Sequence, residues 1–262
     1  MILLNKIYCM NCIDFMKEIP DEFVDLVYLD PPFFTSNKFD DFNDKWEGIK
    51  EYLSWLRPVI KELYRILKNT GSLYLHCDYH ANYGIRILLN NVFGSDNFIN
   101  EIIWCYKGGN ARRKFRSKHD TIFLYSKTGK YFIDVDEVRI AYPDKLISGE
   151  DEKGKFYKTG QNVSGKVYLH PKGQLLYDYW IDINSGTTSH GKEFVGYDTQ
   201  KPERLLERII KASSCKGDLV FDPFLGSGTT TVVAKKLNRN FIGCDINPEA
   251  IKKANARLDN IV

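Results

Sequence analysis

An α/β fold with a mostly parallel sheet, covered by helices on both faces, is predicted by two observations. Strand-like and helix-like segments alternate at both ends of the 262-residue chain, the pattern that lets a parallel sheet bury both faces. Two apolar runs, Val24 to Leu29 and Leu219 to Phe221, each lead into an acid that opens a loop. The first loop is Asp30-Pro31-Pro32-Phe33, the second Asp222-Pro223-Phe224-Leu225-Gly226-Ser227-Gly228-Thr229-Thr230. An acid at the carboxyl end of a parallel strand points into the crevice where open α/β sheets bind ligands.

The elements follow in order. Leu3 to Tyr8 reads as a strand and Cys12 to Glu18 as a short helix ended by Pro20. Val24 to Leu29 is the next strand, and Phe34 to Trp46 is polar, aromatic and without period, hence a loop. Tyr52, Leu53, Leu56, Ile60, Leu63, Ile66 and Leu67 have helical spacing, so Ile49 to Leu67 is a helix, which Pro58 should bend or split. Asn69-Thr70-Gly71 should close it before a strand over Ser72 to His76, followed by a helix over Ala81 to Val92. Phe98 to Tyr106 and Thr121 to Tyr125 read as strands. Tyr131 to Tyr197, rich in Gly, Lys, Asp and Tyr, reads as an inserted module outside the main sheet. Then come a helix (Pro202 to Ala212), a strand (Asp218 to Phe221), a helix (Thr229 to Leu237) and a strand (Asn240 to Cys244) ending in Asp245. Asn247-Pro248-Glu249 starts the last helix, with Asn as N-cap and Pro at the first helical position. The expected organisation is a catalytic half over 1–130, an insert over 131–197, and a second half of the same domain over 198–262.

Composition narrows the class. A hydrophobic content of 43% supports a sizeable core. No run of about 18 apolar residues is present, and Met1 to Ile7 carries no cleavage pattern, so a cytoplasmic protein is expected. The six cysteines fit reduced thiols there. Cys9 and Cys12 form a CxxC without a second pair, and His76-Cys77-Asp78-Tyr79-His80 ends a strand; no metal is expected at either. Net charge is only +3, but Lys107, Arg112, Arg113, Lys114, Arg116 and Lys118 cluster with no intervening acid. The run is either a solvated loop or a phosphate-contacting one.

In the second loop, Gly226 and Gly228 allow close backbone approach, and the helix from Thr229 presents free N–H groups. The third glycine of a dinucleotide fingerprint is Thr231 here, and there is no Gly-Lys-Ser/Thr. A ligand without a pyrophosphate is implied, and a nucleotide-dependent oxidoreductase is disfavoured. Asp245, 17 residues after Gly228, can accept both hydroxyls of a ribose. S-adenosyl-L-methionine, an adenosine with an amino-acid tail and no phosphate, fits. In the first loop, two prolines remove two N–H donors, so the loop offers acceptors: the Asp30 carboxylate and main-chain carbonyls. An exocyclic amine has two N–H bonds to donate. Accepting them orients its nitrogen for attack on a methyl sulfonium, and Asp30 can later take a proton. Phe33 can stack on a base flipped from the duplex. The plain alternatives are a tight Gly turn and a rigid turn with a core Phe.

These two loops, in this order and followed across an insert by Thr199-Gln200-Lys201-Pro202, resemble the amino-methyltransferases that modify DNA bases, in the arrangement of the β group. The resemblance covers nearly the whole chain and implies a Rossmann-like sheet. It implies a site-specific methyltransferase of restriction-modification type that uses S-adenosyl-L-methionine and double-stranded DNA. A cognate restriction endonuclease and a homodimer are further partners the family brings. By the same resemblance, Asp30, Pro31, Pro32 and Phe33 are catalytic. Asn11, Cys12, Asp30, Lys201, Asp222, Phe224, Gly226, Gly228, Thr229, Thr230 and Asp245 serve the cofactor, with Asp245 on its ribose and Lys201 near its carboxylate. The basic run serves DNA, and Tyr131 to Tyr197 falls at the target-recognition region. Phe33 replaces a frequent Tyr, Met10-Asn11 a frequent Gly-Asp, and Asp198 a Pro. Asp at position 30 favours adenine N6 over cytosine N4, the runner-up. RNA or a protein amide is disfavoured because those relatives tend to carry Asn there. A silent nucleic-acid-binding protein is disfavoured by the intact loops.

Overall fold

The computed structural model describes residues 2–35, 44–108, 112–113, 115–158, 165–185 and 193–261. The principal sheet has eight strands: β1 (Lys6–Cys9), β2 (Val24–Leu29), β3 (Leu67–Cys77), β4 (Phe98–Cys105), β5 (His119–Ser126), β9 (Tyr179–Trp180), β10 (Leu219–Asp222) and β11 (Asn240–Asp245). Their spatial order is β1-β11-β10-β2-β3-β5-β4-β9. Neighbours are parallel except where β5 meets β3 and β4, so β5 alone of these eight runs backward. A separate antiparallel sheet holds β6 (Gly149–Asp151), β7 (Gly154–Lys158) and β8 (Lys166–Tyr168).

Alternating side chains bury both faces of the principal sheet. Val27 and Leu29 join one core with residues of α1 (Cys12–Lys17), α2 (Ile49–Ile66) and α3 (Asn82–Phe93). Leu26 and Tyr28 join the other with α4 (Glu203–Ser213), α5 (Thr229–Lys236) and α6 (Pro248–Asp259). The two-faced burial explains why the strands read as continuous apolar runs.

Of the bend or split expected at Pro58, the split does not occur, and α2 runs continuously through it. Two further expectations need correction. Asn69-Thr70-Gly71 does not close that helix, which passes straight into β3 at Leu67. Lys127, from the end of β5, instead donates Nζ to the Arg65 and Leu67 carbonyls. The register between β2 and β3 breaks there, with Val24 opposite Leu67 but Leu26 opposite Ser72. Finally, the segment expected outside the sheet returns to it. β9 pairs in parallel with β4, Trp180 is buried in the second core, and Asp182 holds Arg204 and Arg208 of α4.

Candidate active site

Strands β1, β11, β10 and β2 point the same way, so their carboxyl ends share one edge of the sheet. That edge carries a cavity of about 360 Å³, within the range of small-ligand sites. Asn11, Cys12, Asp30, Pro31, Pro32, Phe33, Lys201, Asp222, Phe224, Gly226, Thr229, Thr230 and Asp245 all line it. Two loops that are 192 positions apart in sequence, counted from Asp30 to Asp222, therefore face one space.

The Asp30 loop is rigid for reasons beyond its prolines. The buried carboxylate of Asp44 accepts the main-chain N–H groups of Phe34 (2.7 Å) and Thr35 (2.9 Å), and the Thr35 hydroxyl as well. It holds Phe34 at φ +63°, a conformation that is rare for a bulky side chain. Tyr52 donates its hydroxyl to the Pro32 carbonyl at 2.8 Å. Thus the carbonyl of Pro32 is tied to the fold, and Asp30 and Pro31 are left to supply acceptors. Asp30 Oδ2 pairs with Lys201 Nζ at 2.6 Å, and that ammonium lies 5.1 Å from the Phe33 ring centre. Asp30 Oδ1 is buried without a hydrogen-bond partner among the described residues. A buried carboxylate oxygen facing a cavity and lacking a donor is an acceptor waiting for a ligand N–H.

On the cofactor side, Asp245 accepts the main-chain N–H of Gly226 (2.8 Å) and of Asn247 (2.9 Å). Asp222 accepts from Phe224 N–H and from the Thr230 hydroxyl. Burial pushes its carboxyl up to about 7, and the negative charges of Asp30 and Asp245 add to the effect. Gly226, at φ +52°, lies under Tyr197, whose ring would sit 3.2 Å from an added Cβ. Gly228 has a different reason to be glycine. It does not line the cavity, and a Cβ there would fall 2.6 Å from the Ala254 Cβ of α6. Helix packing thus gives this position its own requirement for glycine. Arg257 of α6 braces the same loop, reaching Ser227, Thr229 and Glu203. Asn11 caps α1 by accepting from Ile13 N–H. Cys12 is buried, and its thiol is pushed up to about 11 chiefly by that burial, which disfavours the thiolate.

Sequence reasoning missed Tyr28, Trp46, Trp55, Tyr197 and Asp44 as cavity lining. The Phe34-to-Trp46 aromatics were visible, but without periodicity nothing assigned them to the site. Rings from Trp46, Trp55 and Phe224 form a connected wall, with centres 5.2 and 5.9 Å apart. The basic run lies outside the cavity, in the connection between β4 and β5. Lys107, Arg112, Arg113 and Arg116 are exposed, Lys118 is half-buried, and Phe115 is 100% exposed. Lys114 lies outside the described residues. Among the described residues, no group of His, Cys, Asp and Glu is arranged to hold a metal ion.

The cavity fits S-adenosylmethionine by its own chemistry. An aromatic wall suits a planar ring, Asp245 at a strand end suits ribose hydroxyls, and acids suit a sulfonium cation. Fold and cavity together define an α/β methyltransferase. Residues 24–256 match the family described as DNA methylase (N6_N4_Mtase), and the chain belongs to that family, whose members transfer the methyl group of S-adenosylmethionine to DNA. The chain is similar to the Type II methyltransferase M1.MboII of Moraxella bovis, at 34% identity over 280 residues, spanning 100% of this chain and 99% of that one. It is similar to the DNA adenine methyltransferase YhdJ of Escherichia coli (strain K12), at 35% over 251 residues, covering 93% and 79%. Among solved structures, the cytosine-N4-specific PvuII DNA methyltransferase shares the fold with a TM-score of 0.71 at 20% identity, over 98% of this chain and 87% of that one. The M1.HpyAVI complex with S-adenosylmethionine does so at 0.62 and 22%, over 97% and 98%.

Proposed function

We propose that this DNA methylase modifies the N6 amine of adenine within a specific duplex sequence, acting on a base flipped out of the helix. The observation that carries the reading is the buried, partnerless Oδ1 of Asp30 on the wall of the cavity shared with the cofactor loop. When bound, S-adenosylmethionine supplies an electrophilic methyl group on a sulfonium. Asp30 and the Pro31 carbonyl accept the two amine protons, which fixes the nitrogen lone pair toward that methyl. Phe33 offers a face to the base, with Lys201 beneath it. Asp245 and the Trp46–Trp55–Phe224 wall hold the adenosine. Lys201 answers the carboxylate of the amino-acid tail. The YhdJ relative, named an adenine methyltransferase, supports the choice of base.

The basic connection between β4 and β5 meets the phosphates, and the segment over 131–197 reads the sequence. The Type II names of the relatives support a place beside a restriction endonuclease that cuts the unmodified site; co-expression with endonucleases of candidate specificity tests it. Self-association as a homodimer is tested by sedimentation. The catalytic reading is tested by Asp30→Ala. Transfer to unmethylated DNA should fall by at least about a hundredfold, while S-adenosylhomocysteine still raises Tm. Retained turnover would sink it.

A further inference from the structure

Behind Asp30, a polar chain runs from the cavity wall into the core. His76 of β3 is fully buried and engages both ring nitrogens. Nδ1 lies 2.7 Å from the Tyr28 hydroxyl, and Nε2 lies 3.1 Å from Asp120 Oδ2. Tyr106 donates its hydroxyl to the other Asp120 oxygen at 2.9 Å. The rings of Phe33 and Trp104 flank the imidazole, with centres at 5.4 and 5.6 Å. A buried network of this kind is costly unless every member is paired. The unpaired atom beside it is Asp30 Oδ1, 3.8 Å from His76 Nδ1.

The hydrogen-bond roles follow from the neighbours. Burial works against a charge on Asp120, but the hydrogen bond from His76, the charge of Lys201 and the hydrogen bond from Tyr106 hold its carboxyl below the usual range. Asp120 is thus an acceptor, Nε2 carries the hydrogen, and Nδ1 keeps its lone pair. Burial pushes the Tyr28 phenol well above its usual range, with Asp30, Asp222 and Asp120 adding to the effect. Tyr28 therefore donates to Nδ1. The titratable and charged groups facing His76 are Tyr28 and Asp30 from β2 and its loop, and Asp120 from β5. Lys201 acts from ahead of α4, and Tyr106 acts through Asp120.

We propose that His76 is a positioning residue that takes up, through Asp30, the proton released by the methylated amine. The proposal rests on the catalytic reading above. As the nitrogen–methyl bond forms and the methyl–sulfur bond breaks, the amine holds one proton too many. Its N–H bond breaks, the electron pair stays on nitrogen, and the proton joins Asp30 Oδ1. That O–H bond then breaks, and the Nδ1 lone pair takes the proton in place of the Tyr28 donation. Asp30 is a carboxylate again, and the imidazolium lies between Asp30 and Asp120. The proton leaves by the reverse path when the product departs and water reaches Asp30.

Single-turnover methyl transfer to unmethylated genomic DNA, read by nucleoside mass spectrometry from about pH 5.5 to 9, tests this for the wild type, His76→Gln and Asp120→Asn. In Asp120→Asn, the amide can donate to Nε2, which moves the ring hydrogen to Nδ1 and removes the accepting lone pair. Both variants should show a plateau roughly 10- to 100-fold lower and an acid limb displaced by more than about one pH unit. S-adenosylhomocysteine should stabilise them as it does the wild type. If His76→Gln does not fold, Asp120→Asn decides alone. An unchanged profile, or a lower plateau with the acid limb unmoved, overturns the proposal. A wild type that methylates no base overturns the catalytic reading before any variant is compared.

Discussion

At the residue scale, the site depends on acids that differ in their surroundings. Asp30 is half-paired, Asp245 accepts two main-chain N–H groups and keeps lone pairs for a ligand, and Asp222 is buried at the cavity wall. Asp222 makes stability depend on pH. Its carboxyl, near 7 in the fold against about 3.9 in an unfolded chain, favours the folded state fully below the lower value. That contribution is lost as pH rises through the higher one. Asp222→Asn should therefore gain Tm relative to the wild type between about pH 4 and 8; a pH-independent difference would refute this. Tyr52→Phe removes the hydroxyl that ties down Pro32. It should cost about 1 kcal/mol in urea unfolding and lower kcat more than it raises KM, because the loop geometry loosens. The acids and prolines of both loops were legible in the sequence, since strand ends and turn chemistry are local. Asp44, Tyr52 and His76 were not, because their roles arise from partners that are distant in the chain.

At the element scale, strand and helix positions were readable wherever burial imposes a period, as in β2 and in α6 with its Asn247 cap. The failures were non-local. The last carbonyls of α2 accept from the main chain at Glu22 and Phe23 and from a lysine 61 positions after Ile66, counted to Lys127, partners no local signal announces. Gly228 carries a second requirement that is equally non-local, the packing of α5 on α6. Gly228→Ala should destabilise the protein by roughly 1–3 kcal/mol, through positive φ and overpacking. Guanidinium titration measures it, and a neutral effect would contradict the packing requirement.

At the scale of the whole molecule, two functions meet across the sheet. On the proposed reading, cofactor-side loops gather at the ends of β1, β11 and β10, and base-side groups at β2, β3 and β5. The exposed cations leave from β4, whose last neighbour Tyr106 is tied to Asp120. Arg112→Ala with Arg113→Ala should weaken DNA binding and flatten the salt dependence by a slope of about 1.8; an unchanged slope would make the run a solvated loop. Among the described residues, no helix is long and apolar enough to cross a membrane. The central claim is adenine N6 transfer. Its most direct test is mass spectrometry of nucleosides from unmethylated genomic DNA incubated with the protein and S-adenosylmethionine. The predicted product is N6-methyladenine; N4-methylcytosine would contradict the assignment of the base, and the absence of either would contradict the account of the site.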